Sequence, residues 1–150
     1  MFAVLSVALL VTLGVAIVGW FRPVPAKPLP APTYSNQQIA DAKAKVCAAH
    51  EKVHSAIKAS SARDEGTDPT AQLAFALNGR QALLAGSEYL RTVLSAEPAT
   101  PNDLATTIRK LTDVFQELAV DYLNGLTESQ MESPLKAGNE ATLTIERLCK

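Results

Sequence analysis

The sequence predicts an all-α protein with one N-terminal transmembrane helix, a proline-rich stalk and an extracytoplasmic up-and-down four-helix bundle that carries one disulfide. Three observations predict this fold. The first 21 of 150 residues contain no charged side chain, and five of the nine prolines fall within residues 22–34. Apolar residues then recur at three- and four-residue spacing, with no sustained alternation of the kind a strand requires. We therefore divide the chain into a membrane helix (1–21), a stalk (22–34) and a bundle domain (35–150).

Residues 1–21 match the hydrocarbon core of a bilayer in length. At 1.5 Å per residue they form a helix of about 31 Å, and the core is about 30 Å thick. Trp20 and Phe21, followed by Arg22, are typical of side chains that anchor a span at the interface. A cleavable signal peptide would have a shorter apolar stretch, a preceding positive charge and a small-residue cleavage site. We therefore predict an uncleaved single span.

The orientation of this span rests on conflicting signals. Arg22 and Lys27 follow the span, which by the positive-inside rule places the domain in the cytoplasm. Two cysteines without a local redox or metal motif, together with the proline-rich stalk, favour the outside, and we predict a periplasmic domain on a cell-membrane anchor. A natural start further upstream, with a short basic tail, would remove the conflict; N-terminal sequencing of the native protein tests this hypothesis.

The span and the stalk also suggest contacts with other molecules. Small residues at three- and four-residue steps form a strip on which a neighbouring membrane helix can pack, at Ala8, Thr12, Ala16 and Gly19. The alternative is that small residues are simply common in spans. The prolines of residues 22–34 favour a polyproline II spacer of at most about 40 Å, and a ligand for a proline-binding module is the alternative.

The first two bundle helices have clear starts. Ser35 and Gln38 form a capping box for a helix over 35–61, whose apolar positions are Ile39, Ala42, Val46, Ala49, Val53 and Ile57. Asp68 and Pro69 are an N-cap and first-turn proline for a second helix that ends before Pro98. We predict that its buried face comprises Leu73, Leu77, Leu84, Ser87, Leu90 and Leu94. Its small-residue stripe, which allows close approach of another helix, comprises Gly79, Ala82 and Gly86.

The third and fourth helices complete the predicted bundle. Thr100 as cap and Pro101 at the first position begin the third helix, and Asn124 with Gly125 ends it. Its apolar positions are Leu104, Ile108, Leu111, Phe115, Leu118 and Tyr122. Thr127 and Gln130 form a weaker capping box before a fourth helix that begins near Ser133, with Pro134, Leu135, Ala141, Ile145, Leu148 and Cys149 at helical spacing.

Cys47 and Cys149 lie on the first and last helices, which are antiparallel neighbours in such a bundle, so we predict a disulfide between them; free cytosolic thiols are the alternative. His50 and His54 share one helix face next to Cys47 and are weak candidates for metal ligands. A structural zinc site needs four ligands, however, and the second cysteine is already assigned. We therefore expect no metal and no other cofactor.

Charge and motifs argue against several functions. A net charge of −1 gives no basic surface for nucleic acid. The chain contains no nucleophile elbow, phosphate-binding glycine loop, zinc-protease motif or dinucleotide fingerprint. The carboxylates of Asp113, Glu117 and Asp121 have the spacing of a solvated helix face. We therefore expect neither an enzyme nor a nucleic-acid-binding protein.

The order of apolar span, proline-alanine stalk, the segment TYSNQQIADAKAKVCAAHEKVHSAI and a C-terminal ERLC resembles the alanine- and proline-rich single-pass membrane-anchored proteins of mycobacteria and their relatives. The resemblance covers the whole architecture, and its sharpest motif is AKAKVC with the distal cysteine. It implies an extracytoplasmic helical domain with one disulfide, at Cys47 and Cys149. It also suggests partners among envelope assemblies such as Mce-type lipid importers and respiratory supercomplexes, but it implies no activity. The missing basic N-terminal flank departs from the pattern.

These observations together predict a non-catalytic accessory or scaffolding subunit of a cell-envelope complex, with a lipid transporter as the favoured complex and a respiratory supercomplex as an alternative. Its membrane helix would dock into an integral membrane protein complex within the bilayer. A competing prediction is a binding module whose bundle core or interhelical groove holds a lipid or other apolar ligand. A third is a metal-binding protein that uses His50 and His54.

Overall fold

The structure, a computed structural model, describes residues 32–61 and 68–150, and all regular secondary structure in these segments is helical. The four helices are α1 (Asn36–Ser61), α2 (Pro69–Ala96), α3 (Asn102–Leu123) and α4 (Glu132–Leu148). The predicted membrane helix, 1–21, and all but the last three residues of the predicted stalk, 22–34, lie outside the described residues. Within the described segments, no helix combines the length and the apolar character needed to cross a membrane.

Each helix packs against the next one in the sequence: α1 on α2, α2 on α3, and α3 on α4. Cys47 of α1 and Cys149, directly after α4, form a disulfide that joins the first helix to the last, with 5.8 Å between their Cα atoms. The predicted helical bundle and its disulfide are thus confirmed. Short connections between sequential helices produce this arrangement, because the next amphipathic face along the chain is the nearest surface against which a helix can bury its own.

Two helix starts follow the predicted capping chemistry. The backbone N–H of Gln38 donates to the Ser35 hydroxyl (3.2 Å), and the Ser35 N–H donates to the Gln38 side-chain oxygen (2.9 Å). At α2, the Asp68 carboxylate accepts from the backbone N–H of Ala71 (2.9 Å), and Pro69 occupies the first position. Each cap satisfies N–H groups that have no partner within the helix itself.

The predicted cap of α3 is wrong. The Thr100 hydroxyl donates to the backbone carbonyl of Glu97 (2.6 Å), and its N–H bonds to the same carbonyl. Thr100 thus belongs to the turn that closes α2, and Pro101 occupies the N-cap position without a side-chain bond. The predicted end of the helix is confirmed, since Gly125 adopts a φ of 74°, a left-handed conformation that glycine adopts without strain.

The core runs along all four helices and is centred on α3, the helix with the most buried residues among the four. Its largest fully buried apolar side chains are Leu90, Leu104, Ile108, Leu111, Met131 and Ile145. One buried polar contact crosses it: the Ser87 hydroxyl donates to the backbone carbonyl of Thr112 (3.0 Å). This bond fixes the register of α2 against α3, because a buried hydroxyl left without a partner is costly.

α2 departs from its predicted face at three leucines in its first half and its middle. Leu73, Leu77 and Leu84 are 58%, 45% and 47% exposed, whereas Leu83, Gly86, Ser87, Leu90 and Leu94 form the buried face. Before Leu83, no described residue of α2 is buried. The helix is continuous through Asn78 and Gly79, so the prediction failed in the orientation of the helix and not in its extent. In α1, Ile39 is likewise more exposed than predicted, because it lies in the first turn.

Candidate functional site

A cavity of about 490 Å³ lies at the end of the bundle where α1 and α3 end and α2 and α4 begin. All four helices contribute to its wall. The wall is mostly apolar, and its larger apolar side chains are Ile57, Phe75, Leu83, Phe115, Leu118 and Leu135. The volume lies within the range of about 300–1,000 Å³ that is typical of small-molecule sites.

The cavity exists because α1 and α2 are close at one level and separated at another. At Gly86 an added Cβ would lie 2.6 Å from Cγ1 of Val53, so the two helices are in close contact there. Two turns earlier, at Gly79, an added Cβ would meet no atom of the described residues within 4 Å, and Gly79 lines the cavity. The first half of α2 therefore covers a space instead of packing on the core.

One charged side chain of α2 borders this apolar space. Arg80 lines the cavity, and its Nε is buried without a hydrogen-bond partner within residues 32–61 and 68–150. No ion pair in those same segments involves Arg80. Glu128, from the turn before α4, also lines the cavity but is exposed to solvent. Burial, and then the negative charge of Glu128, raise the pKa of the lining residue Tyr122.

The histidines lie on a different part of the bundle. The rings of His50 and His54 are stacked with 5.9 Å between their centroids, and His54 Nδ1 is 4.0 Å from a carboxylate oxygen of Glu146. His50 is only 4% exposed, and burial, followed by the neighbouring His54, lowers its pKa. In the described part of the chain, no group of three or more His, Cys, Asp or Glu side chains is arranged to hold a metal ion.

The remaining predicted positions divide into two groups. The small-residue strip of the membrane helix, Ala8, Thr12, Ala16 and Gly19, lies outside the described residues. On α3, Asp113 and Glu117 are exposed and Asp121 is partly exposed, and Asp113 pairs with Arg91. These carboxylates therefore face solvent, as their spacing indicates, and none of the three lines the cavity.

Sequence reasoning missed the residues of the cavity wall, Arg80 above all. One signal was available, because Arg80 is the only charged residue between positions 69 and 87. A lone charge in an otherwise uncharged helix segment can face solvent, pair with a charge on another element or contact a ligand, and the sequence does not distinguish these cases. To identify the role of Arg80 one needs the orientation of α2 in the bundle, and the apolar pattern of α2 predicts that orientation wrongly.

No protein family, curated protein or solved structure matches this chain. The resemblance to mycobacterial membrane-anchored proteins therefore stays a prediction. Among the features of the described segments, the cavity and its lining residues are the strongest basis for inferring a function.

Proposed function

We propose that the bundle is a non-catalytic binding module for a lipid or another apolar molecule, which occupies the cavity between the four helices. The predicted N-terminal membrane helix and stalk would hold this module on the outer side of the cell membrane. The observation that carries the proposal is the cavity of about 490 Å³ with its mostly apolar wall. The apolar side chains of this wall do not fill the space between them, so a ligand can occupy it.

Apolar contact would supply the binding energy. Removing apolar surface from water is worth about 25 cal/mol per Å², and side chains from every helix would contribute to it. The ligand would also replace packing that the first half of α2 does not make, since no described residue there before Leu83 is buried. We therefore expect bound ligand to stabilise the bundle as well as to be held by it.

Photolabelling of the full-length chain in lipid nanodiscs tests this proposal. The probe is dodecan-1-ol that carries a diazirine on its alkyl chain, and labelled peptides are located by mass spectrometry. We expect labels on peptides of α2 and α3 that contain Phe75 and Leu118. Labelling of residues 1–21 alone would mean that the probe only partitions into the bilayer.

Two leucine substitutions on α2 provide matched variants. Gly79→Leu adds a side chain where the cavity offers open space, so it should abolish the labels on α2 and α3. Ala74→Leu adds a comparable side chain at an exposed position of the same helix that does not line the cavity, so it should leave them unchanged. Equal labelling of Gly79→Leu and the wild type would overturn the proposal.

A second candidate function is the accessory subunit of an envelope complex, such as a lipid transporter or a respiratory supercomplex. One observation favours a protein partner for the bundle: Leu73, Leu77 and Leu84 are exposed and lie within about 40° of each other around α2, at 100° per residue. Clustered apolar side chains on a surface are typical of interaction sites. The predicted membrane helix would supply the second contact.

Co-purification tests this candidate. The tagged full-length chain, at native expression, is isolated in mild detergent and its partners are identified by mass spectrometry. We expect a defined set of transporter or respiratory subunits, and we expect their loss when leucine replaces each residue of the strip Ala8, Thr12, Ala16 and Gly19. Recovery of the chain alone would contradict an accessory role and leave the binding module as the remaining proposal.

A further inference from the structure

We propose that Arg80 binds the head group of the ligand, and that the ligand is therefore an acidic amphiphile: an alkyl chain or similar apolar body that bears one carboxylate or phosphate. This inference rests on the proposed function, because it specifies the chemistry of a molecule in the same cavity. It goes beyond that function by naming a charge, and therefore a class of ligand, that the apolar wall alone does not select.

The surroundings of Arg80 lead to this assignment. Arg80 as a whole is partly exposed, but its Nε is shielded from solvent and donates to no acceptor within the described segments, and no carboxylate there forms an ion pair with it. Buried donors in folded proteins are nearly always paired, so an unpaired one needs an explanation. A guanidinium stays charged at neutral pH, and an anionic ligand in the cavity would supply the missing acceptor.

The geometry of a guanidinium also fits such a head group. Its planar fork of N–H donors matches the two oxygens of a carboxylate or phosphate and can bind both at once. Leu83 and Phe75, on the same helix as Arg80, also line the cavity. An alkyl chain attached to the head group would thus contact apolar side chains while the acid reaches the guanidinium.

Among the described residues, Glu128 is the acidic side chain that lines the same cavity. It is exposed, and within the described segments it forms no ion pair with Arg80. Its charge repels an anionic ligand through partly solvated surroundings, so it should weaken binding without preventing it. Glu128→Gln is therefore expected to strengthen the binding of an acidic amphiphile and to leave a neutral one unaffected.

Competition against the photoreactive dodecanol probe tests the assignment in the full-length chain. The competitors share one alkyl chain and differ in head group: dodecanoate, dodecyl phosphate, dodecan-1-ol and dodecyltrimethylammonium. We expect the two anions to displace the label from α2 and α3 at roughly tenfold lower concentration than the alcohol, and the cation to be the weakest. Comparison of dodecanoate with dodecyl phosphate identifies the preferred acid.

Three variants isolate the role of the guanidinium. Arg80→Met keeps most of the apolar stem and should bring the anions down to the level of the alcohol, while Arg80→Lys should retain part of the preference. Arg147→Met removes an arginine near the disulfide that does not line the cavity, and it should change nothing. Labelling by the dodecanol probe itself should persist in all three, which shows that the cavity is intact.

The outcomes separate the two proposals. If no labels appear on α2 and α3, the proposed binding function fails, and this inference fails with it. If labels appear but the anions and the alcohol compete equally in the wild type, the cavity binds apolar molecules and the assignment of Arg80 is wrong. The assignment is equally wrong if Arg80→Met leaves the preference for anions unchanged.

Discussion

Replacing Gly86 with alanine tests the close contact between α1 and α2 that fixes the position of the cavity. The new Cβ would lie 2.6 Å from Cγ1 of Val53, whereas carbon atoms in favourable contact are about 3.5–4.0 Å apart. Val53 is buried, and a valine side chain has little rotameric freedom to move aside. The helices would therefore have to separate by about 1 Å, and overpacking of this kind costs about 1–3 kcal/mol.

The helix propensity of alanine partly offsets this cost. Alanine is favoured over glycine within a helix by about 1 kcal/mol, so Gly86→Ala should lower the free energy of unfolding by a net 0–2 kcal/mol, roughly. Gly79→Ala is the matched control, because its Cβ meets no atom of residues 32–61 and 68–150 within 4 Å, and it should raise the free energy of unfolding by up to about 1 kcal/mol. The difference between the variants measures the clash alone, at about 1–3 kcal/mol.

Urea unfolding of the full-length chain in mild detergent, followed by circular dichroism at a helical wavelength, measures both variants. A third variant checks the cause: adding Val53→Ala to Gly86→Ala removes the clashing methyl groups, so the two substitutions together should cost less than their sum. If Gly86→Ala is as stable as Gly79→Ala, the close contact at this level is not present in the protein and the explanation of the cavity fails.

Three further predictions concern the interior and the disulfide. Replacing Cys47 and Cys149 with serine should lower the free energy of unfolding by up to about 4.7 kcal/mol, because the bond joins residues 102 apart in the sequence; unchanged urea midpoints would contradict this. The pKa of His50 lies below its usual 6.5 in the folded state, so the unfolded chain takes up a proton first and stability should fall as the pH falls from about 6.5 through the folded pKa. The urea midpoint measured against pH reports this loss, which His50→Gln should remove. Ser87→Ala removes a buried hydrogen bond to the Thr112 carbonyl and should cost about 1 kcal/mol, measured by the same unfolding assay.

The sequence was most informative where a signal depends on neighbouring residues. The Ser35 box, the Asp68 cap and the Gly125 stop each involve residues a few positions apart, and each forms as predicted. α3 buries most of its predicted face for the same reason, since an amphipathic helix with a single apolar stripe has one way to face a core. α4 buries Pro134, Ala141 and Ile145 as predicted, but Leu135 is exposed. Thr100 is the exception, because a turn carbonyl competes for its hydroxyl.

α2 shows where a local pattern fails. Its leucines occupy more than one face, so the periodicity allows several orientations, and Leu73, Leu77 and Leu84 face solvent while Leu83 is buried. The contact of Gly86 with Val53 decides between them, because it brings α1 and α2 together at one level. Helical spacing predicted a small-residue stripe that includes both Gly79 and Gly86, but it did not show that close contact forms at Gly86 alone of these two glycines.

The sequence by itself determined the helical class, the number and approximate ends of the helices in the described segments, and the pairing of the two cysteines. Capping, periodicity and the count of cysteines are properties of short segments or of composition, so they can be recognised without coordinates. The tertiary structure decided the rotation of α2, the cavity beneath its first half and the position of Arg80 on the cavity wall. These depend on how far apart packed helices lie, and that distance is set by side chains distant in sequence that meet only in the folded protein.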